Sequence, residues 1–200
     1  MSLPIVVAIT GASGVAYGRR LVEVLLELGH ELHLVISPSG MQVLKHELRV
    51  EIDPQTFVLD QLLPQVCPKP GQLHFHHSMD YMSSIASGSY LTRGMVVVPC
   101  SGATLSSIAH GSSRNLVERA ADVHLKERRP LILVPRETPL SLVHICNMRT
   151  VTEAGAIVLP ASPGFYHGIE SIDQMIDFIV ARVLDQLKVE HSLSGRWGKP

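Results

Sequence analysis

The chain has 200 residues, 46% of them hydrophobic, with 17 basic against 18 acidic residues and a formal net charge of −1. That length is typical of one domain, and the apolar content supplies a core without disulfides or structural metals and excludes a disordered chain. A nearly neutral chain has no broad basic field, so neither nucleic acid nor an anionic membrane surface is an expected partner.

Residues 5–10 are a β-branched run and read as the first strand. A helix follows at 15–28, where Leu21, Val24, Leu25 and Leu28 recur at steps of three and four and predict one buried stripe. A second strand at 31–37 leads to a helix at 39–48. The next stretch, 49–80, is broken by Pro54, Pro64, Pro68, Pro70 and Gly71. Within it 56–63 fits either a strand or a short helix, and His74 and His76 around Phe75 suit an exposed strand edge. A strand at 95–100, helices at 104–109 and 116–128, a strand at 131–136, a helix at 140–154 and a strand at 157–160 follow. The last helix, 171–187, carries Ile172, Met175, Ile176, Ile179, Val180, Val183 and Leu187 as a broad apolar stripe. Strands without in/out alternation, separated by helices, predict an α/β fold: a Rossmann-like, doubly wound open parallel sheet with helices on both faces. Residues 1–190 read as one such domain and 191–200 as an extended polar tail.

Cys67, Cys100 and Cys146 cannot all pair and none lies in a C-x-x-C. They read as reduced thiols of a cytoplasmic protein. No apolar run approaches the ~20 residues of a membrane span. The low charged fraction, 18%, leaves little polar surface and suggests burial between subunits.

In an open parallel sheet, ligands bind beyond the carboxyl ends of the strands. The five predicted strands end in Gly11-Ala12-Ser13-Gly14, at Ser37, in Cys100-Ser101-Gly102-Ala103-Thr104, in Arg136-Glu137-Thr138-Pro139 and in Ser162-Pro163-Gly164-Phe165-Tyr166-His167. Five such segments on one rim point to a common site. Gly11 to Gly14 open a helix, whose free first-turn N–H groups favour an anion, although many strand–helix turns use Gly and Ser for steric reasons alone. The motif is neither a full G-x-G-x-x-G nor a G-x-S-x-G, and Ser37 stands where an acidic partner of a nicotinamide ribose would be. Ser101 to Thr104 read as a second cradle or as a simple helix cap.

Arg119, Asp122 and Lys126 share one helix face, and alone would be a solvated ion-pair ladder. Arg136 fits a phosphate through its bidentate fork. Glu137 beside it reads as a partly buried proton donor or acceptor, or as Arg136's ion-pair partner. His74-Phe75-His76-His77 resembles a metal cluster, but no Cys or carboxylate joins it at ligand spacing along the chain, so no metal is expected. Cys100, with no evident His partner, reads as a buried small apolar residue.

With these residues assembled, the chain resembles the flavin prenyltransferases, the UbiX-type family, over nearly its full length. The resemblance rests on Gly-Ala-Ser-Gly at 11–14 with Tyr17-Gly18, on Pro99-Cys100-Ser101, and on the blocks from Arg119 to Val123 and from Leu125 to Leu131. It continues through Val134-Pro135-Arg136-Glu137-Thr138-Pro139-Leu140, Pro163-Gly164-Phe165-Tyr166-His167, Arg182-Val183-Leu184-Asp185 and Arg196-Trp197. It implies prenylation of reduced FMN at N5 and C6 by dimethylallyl monophosphate, giving prenylated FMN, the cofactor of a UbiD-type decarboxylase. By the same resemblance FMN contacts Gly11, Ala12, Ser13, Ser37, Ser101, Gly102, Ala103, Thr104 and Arg136. The prenyl phosphate contacts Lys126, Tyr166 and Arg182, with Glu137 nearby and Arg119 on the Lys126 face. Ser13 and Glu47 match proton-handling residues and Trp197 a lid. A homo-oligomer, a dodecamer with sites at subunit junctions, is also implied. Two rivals remain: an FMN-dependent cysteine decarboxylase, whose Pro-Ala-Ser-Ala-Asn and Pro-x-Met-Asn motifs are missing here, and a non-catalytic FMN carrier.

Overall fold

The computed structural model describes residues 3–165 and 168–194. Six strands, β1 (Ile5–Ile9), β2 (Leu32–Ile36), β3 (Leu73–His76), β4 (Gly94–Cys100), β5 (Leu131–Pro135) and β6 (Ile157–Val158), form one all-parallel sheet in the order β3-β2-β1-β4-β5-β6. The helices are α1 (Val15–Glu27), α2 (Pro38–Leu48), α3 (Gly102–Ala109), α4 (Leu116–Lys126), α5 (Leu142–Glu153) and α6 (Ile172–Gln186). The doubly wound parallel sheet expected from the sequence is the fold observed.

All residues of β1, β2, β4 and β5 are buried. Ile5, Val7 and Ile9 pack with α1, α2 and α6, while Val6 and Ala8 pack with α3, α4 and α5 on the other face. Both faces are covered, which is why these strands show no polar alternation.

Three local expectations are refined. Beside the five predicted strands there is a sixth, β3, an edge strand whose residues are only half-buried, as the alternation around Phe75 suggested. The ambiguous stretch 56–63 contains a single 3-10 turn, Leu59–Gln61. It inserts Leu62 and Leu63 into the core without pairing to the sheet. Leu28 falls outside the α1 stripe because it is the cap residue after the last turn, and Val22 and Leu26 are buried as well.

The polypeptide leaves β1 toward one face and β4, its sheet neighbour, toward the other. A crevice opens at such a switch point. Thr10 sets its floor: its buried hydroxyl donates to Pro99 O at 2.7 Å and accepts from Ser101 N–H at 2.9 Å. The amino end of α2 closes in from the β2 side. A Cβ on Gly40 would sit 2.6 Å from Ile9 O, so only glycine allows that approach.

His124 on α4 is buried, donating from Nδ1 to Ala120 O and accepting the Thr92 hydroxyl at Nε2. Burial lowers its pKa from 6.5 to about 4. The unfolded chain therefore takes up a proton that the folded chain refuses, and this contribution to stability is full above pH 6.5 and lost as pH falls toward 4. The urea midpoint is expected to drop across that window, and His124→Asn to flatten the dependence.

Candidate active site

The segments expected on one rim all follow the carboxyl ends of strands: Gly11 to Gly14 after β1, Ser37 after β2, Ser101 to Thr104 after β4, Arg136 to Pro139 after β5, and Pro160 to Gly164 after β6. At the β1 turn, Gly14 takes a positive φ of 98° and caps α1 without a side-chain hydrogen bond of its own. Glu47, reaching over from α2, fills that role. Its Oε2 accepts from Gly14 N–H at 3.0 Å and from Val15 N–H at 3.3 Å. Of the first-turn donors expected to favour an anion, those of Gly14 and Val15 are thus met by an internal carboxylate, where the helix dipole favours negative charge.

The donors left over lie on either side. Ser37 caps α2, accepting from Gly40 N–H at 3.0 Å and sharing a hydrogen bond with Ser39 at 3.1 Å. Ser39 presses on Gly11, where an added Cβ would lie 2.5 Å from its Cβ and Oγ. Ser101 caps α3 by accepting from Thr104 N–H and donates its own hydroxyl to Thr104 Oγ1 at 3.0 Å. Among the described residues no acceptor meets the N–H groups of Gly102 and Ala103, which start α3. His144 stands over this end, 3.1 Å from the position of a Gly102 Cβ. It is held by a capping box in which His144 N–H donates to Ser141 Oγ and Ser141 N–H donates to His144 Nδ1.

Arg136 crosses the crevice and donates from Nε to Ser13 O at 3.2 Å, tying the β5 turn to the β1 turn. Glu137 is exposed rather than partly buried, and is not paired with Arg136; its Oε1 accepts from Thr138 N–H at 3.1 Å. Behind it lies a pocket of about 130 Å³ lined by Arg136, Glu137 and Thr138 on one side and by Leu140, Met148 and Pro160 on the other. Cys100 is buried and its thiol is pushed up to about 12 by desolvation, so it is an apolar wall residue and no nucleophile.

Within one chain, three expected site residues are not brought to this rim. Lys126 ends α4 beside Glu127, its ion-pair partner, and just before Pro130 leads into the amino end of β5. Arg136 follows the other end of that strand, about 17 Å away at ~3.3 Å per residue. Arg119, on the same helix, donates to Ala86 O at 3.0 Å and pairs with Asp122 at 2.9 Å. Arg182 lies in the second half of α6, half-exposed and paired with Asp185 at 2.8 Å. For Lys126 and Arg182 the cause is topological: these helices run antiparallel to the strands, so their last turns lie at the sheet's opposite end; Arg119, in the first turn of α4, is instead held by Ala86 and Asp122. Tyr166 and Trp197 lie outside the described residues, as does the tail from residue 195.

A model of the flavoprotein family matches residues 1–184. The chain belongs to the flavoprotein family, in its flavin prenyltransferase branch. It is 49% identical to the flavin prenyltransferase UbiX of Halalkalibacterium halodurans, covering 96% of this chain and 92% of that protein. Among solved structures, AnUbiX (PadA1) in complex with FMN and dimethylallyl pyrophosphate superposes with a TM-score of 0.87 at 38% identity, over 100% of this chain and 99% of that one. A dodecameric FMN-dependent Ubix-like decarboxylase from Escherichia coli O157:H7 superposes with a TM-score of 0.86 at 37% identity, over 98% and 100%.

The rim of this flavoprotein suits a flat phosphorylated ligand. Small residues on two turns admit close approach, serine hydroxyls and unmet N–H groups offer donors, and Arg136 supplies a cation. Sequence reasoning missed Thr10, Ser39 and His144. Thr10 reads as the end of a strand, and Ser39 becomes relevant only once α2 meets Gly11. A His in the third helical position is not the usual Glu or Gln of a capping box. Removing the Glu47 cap by Glu47→Ala is expected to cost about 1 kcal/mol, read as a lower urea midpoint, with Glu47→Gln recovering part of it.

Proposed function

We propose that this flavoprotein is a flavin prenyltransferase that joins the dimethylallyl group of dimethylallyl monophosphate to N5 and C6 of reduced FMN, releasing phosphate and yielding prenylated FMN. The observation that carries the reading is a small-residue crevice at the β1/β4 switch point, tied through Arg136 to a pocket beyond β5 and β6 that is apolar at Leu140 and Met148 and polar at Arg136 and Glu137. A five-carbon tail bearing a phosphate has that same split character. The similarity to a structure holding FMN and dimethylallyl pyrophosphate supports it.

Reduced FMN supplies the nucleophilic atoms. This chain's residues hold, orient and neutralise. Gly11, Ala12, Ser13, Ser37 and Ser101 to Thr104 line the flavin's place, and Arg136 spans it. Fixing the allyl carbon beside the flavin makes the attack local. Glu137 gives a proton to the departing phosphate oxygen. Lys126, Arg182 and Tyr166 take up the charge that develops there, with Arg119 shaping the Lys126 face. Ser13 Oγ, beside the Glu47 cap, takes the proton released from the flavin. Trp197 is assigned, by resemblance, the role of excluding water and offering a π-face to cationic character on the allyl group.

Because α4 ends with Lys126 at the far end of the sheet, a second copy of the chain has to bring that cation to Glu137. Arg182 is read the same way. The apolar side chains near the rim agree with a covering subunit: Leu142, Val143 and Ile145 on α5, Phe165 and Ile172 are all more than half exposed. Such an area of exposed apolar surface marks an interface. A dodecamer, the assembly of the Escherichia coli relative, is the proposed state. No helix among the described residues is long and apolar enough to cross a membrane. We place the protein in the cytoplasm, with a UbiD-type decarboxylase as acceptor of the product.

Glu137→Gln is expected to bind FMN as the wild type does but to transfer the prenyl group more slowly by about 10²–10⁴-fold, read by single-turnover mass spectrometry of the flavin; an unchanged rate removes Glu137 from the chemistry. Lys126→Ala and Glu137→Gln are each expected to be nearly inactive alone, whereas co-expression should restore part of the activity, because mixed assemblies contain sites with both native residues. No recovery would place both groups in one chain.

A further inference from the structure

Far from the rim, the edge of the sheet carries a second cluster of chemistry. His33 of β2 and His74 of β3 are register partners, and Glu31 stands just ahead of β2, its carbonyl fixed by Ile5 N–H at 2.9 Å. Glu31 Oε1 lies 3.3 Å from His74 Nε2 and 3.7 Å from His33 Nε2. All three donor atoms fall within 4.8 Å of one another. Ligands about 2.1 Å from a tetrahedral zinc are separated by about 3.4 Å, so the carboxylate is already spaced from both imidazoles as a shared ion requires.

The hydrogen bonds around His33 are compatible with a lone pair on Nε2 in one of its two tautomers. Its Nε2 is 2.8 Å from the Tyr90 hydroxyl, its Nδ1 2.7 Å from His76 Nε2, and His76 Nδ1 3.0 Å from Ser83 Oγ. Of the two proton arrangements that satisfy every group, the one that suits a cation runs outward from Tyr90. Tyr90 donates to His33 Nε2, His33 Nδ1–H donates to His76, and His76 Nδ1–H donates to Ser83. A ring whose second nitrogen donates to a fixed neighbour is the arrangement that orients metal-ligating histidines. The ring of His74 stacks on that of His33, 4.9 Å away, and that of His76 lies parallel to it with centroids 5.0 Å apart, as their hydrogen bond requires. Burial, together with these neighbouring imidazoles, holds the His33 pKa down at about 4, so the ring is neutral. His33 forms the buried wall, while Glu31 and His74 are 41% exposed and leave the cluster open to solvent.

We propose that Glu31, His33 and His74 form a binding site for a zinc-class divalent cation at the amino ends of β2 and β3, with water completing the coordination. Two imidazoles and one carboxylate select a late first-row cation over magnesium or calcium, which prefer all-oxygen sets. The cation takes the His33 Nε2 lone pair in place of the Tyr90 hydroxyl. The site lies about 17 Å, the length of β2, from the turn that carries Ser37, so it acts independently of the flavin chemistry. The sequence hid it because Glu31 and His33 are 41 or more residues before His74, and only strand pairing joins them.

The test is titration of zinc chloride into the whole EDTA-stripped protein, followed by calorimetry, with cobalt absorption as a second readout. One zinc per chain is expected, with affinity reduced about tenfold or more by His74→Ala and by Glu31→Gln, and with loss of the tetrahedral cobalt band. Prenyl transfer by the stripped protein and by both variants is expected to match the untreated wild type. Absence of saturable zinc binding overturns the proposal, as does binding that both variants leave unchanged, which would assign the zinc to other groups such as the exposed Cys67 or Cys146. A fall in prenyl transfer in both variants would overturn the independence of the two sites.

Discussion

Two neighbouring parallel strands whose chains depart toward opposite faces cannot both be covered where they end, and everything else in this protein is arranged around the gap that results. Thr10 keeps it in register. One buried hydroxyl gives to Pro99 O and takes from Ser101 N–H, so the β1 and β4 turns move as a unit. The turns are then lined with residues small enough to let a planar ligand near the backbone. At Gly11 the choice is forced from outside, because Ser39 fills the space a side chain would need. At Gly102 the ring of His144 stands close, 3.1 Å from where a Cβ would be.

The parallel sheet also explains what the single chain lacks. Strand ends and helix ends alternate between the two edges of such a fold, so no arrangement of loops brings the last turn of α4 to the first residues after β5. In the proposed assembly, Lys126 and Arg182 serve a neighbour's rim, and the exposed apolar side chains near the rim are the surface on which that neighbour rests. On that proposal, catalysis and assembly are one property of the fold.

The fold was legible because burial on both faces leaves unbroken runs such as Ile5–Ile9, and because Gly, Ser and Pro mark each strand end. The rim was legible for the same reason. β3 was only hinted at, since its residues are half-buried and its pairing comes from a distant strand. Glu47 was singled out by resemblance, but its hold on the α1 terminus depends on the packing of two helices, which spacing along the chain does not express. The burial of Glu137 was misjudged because adjacency to Arg136 in sequence is not adjacency in space: the two side chains leave the strand in different directions, one to Ser13 and one to solvent.

Glu47's occupation of the α1 terminus has a further consequence. A Rossmann-type protein that keeps its nucleotide permanently clamps the phosphate with the full dipole of its first helix. Here Glu47 already takes the Gly14 and Val15 N–H groups at that positive end, so these two donors are not offered to the ligand. A flavin that arrives as a reactant must also depart after every turnover, and a weakened clamp on its phosphate lets it go.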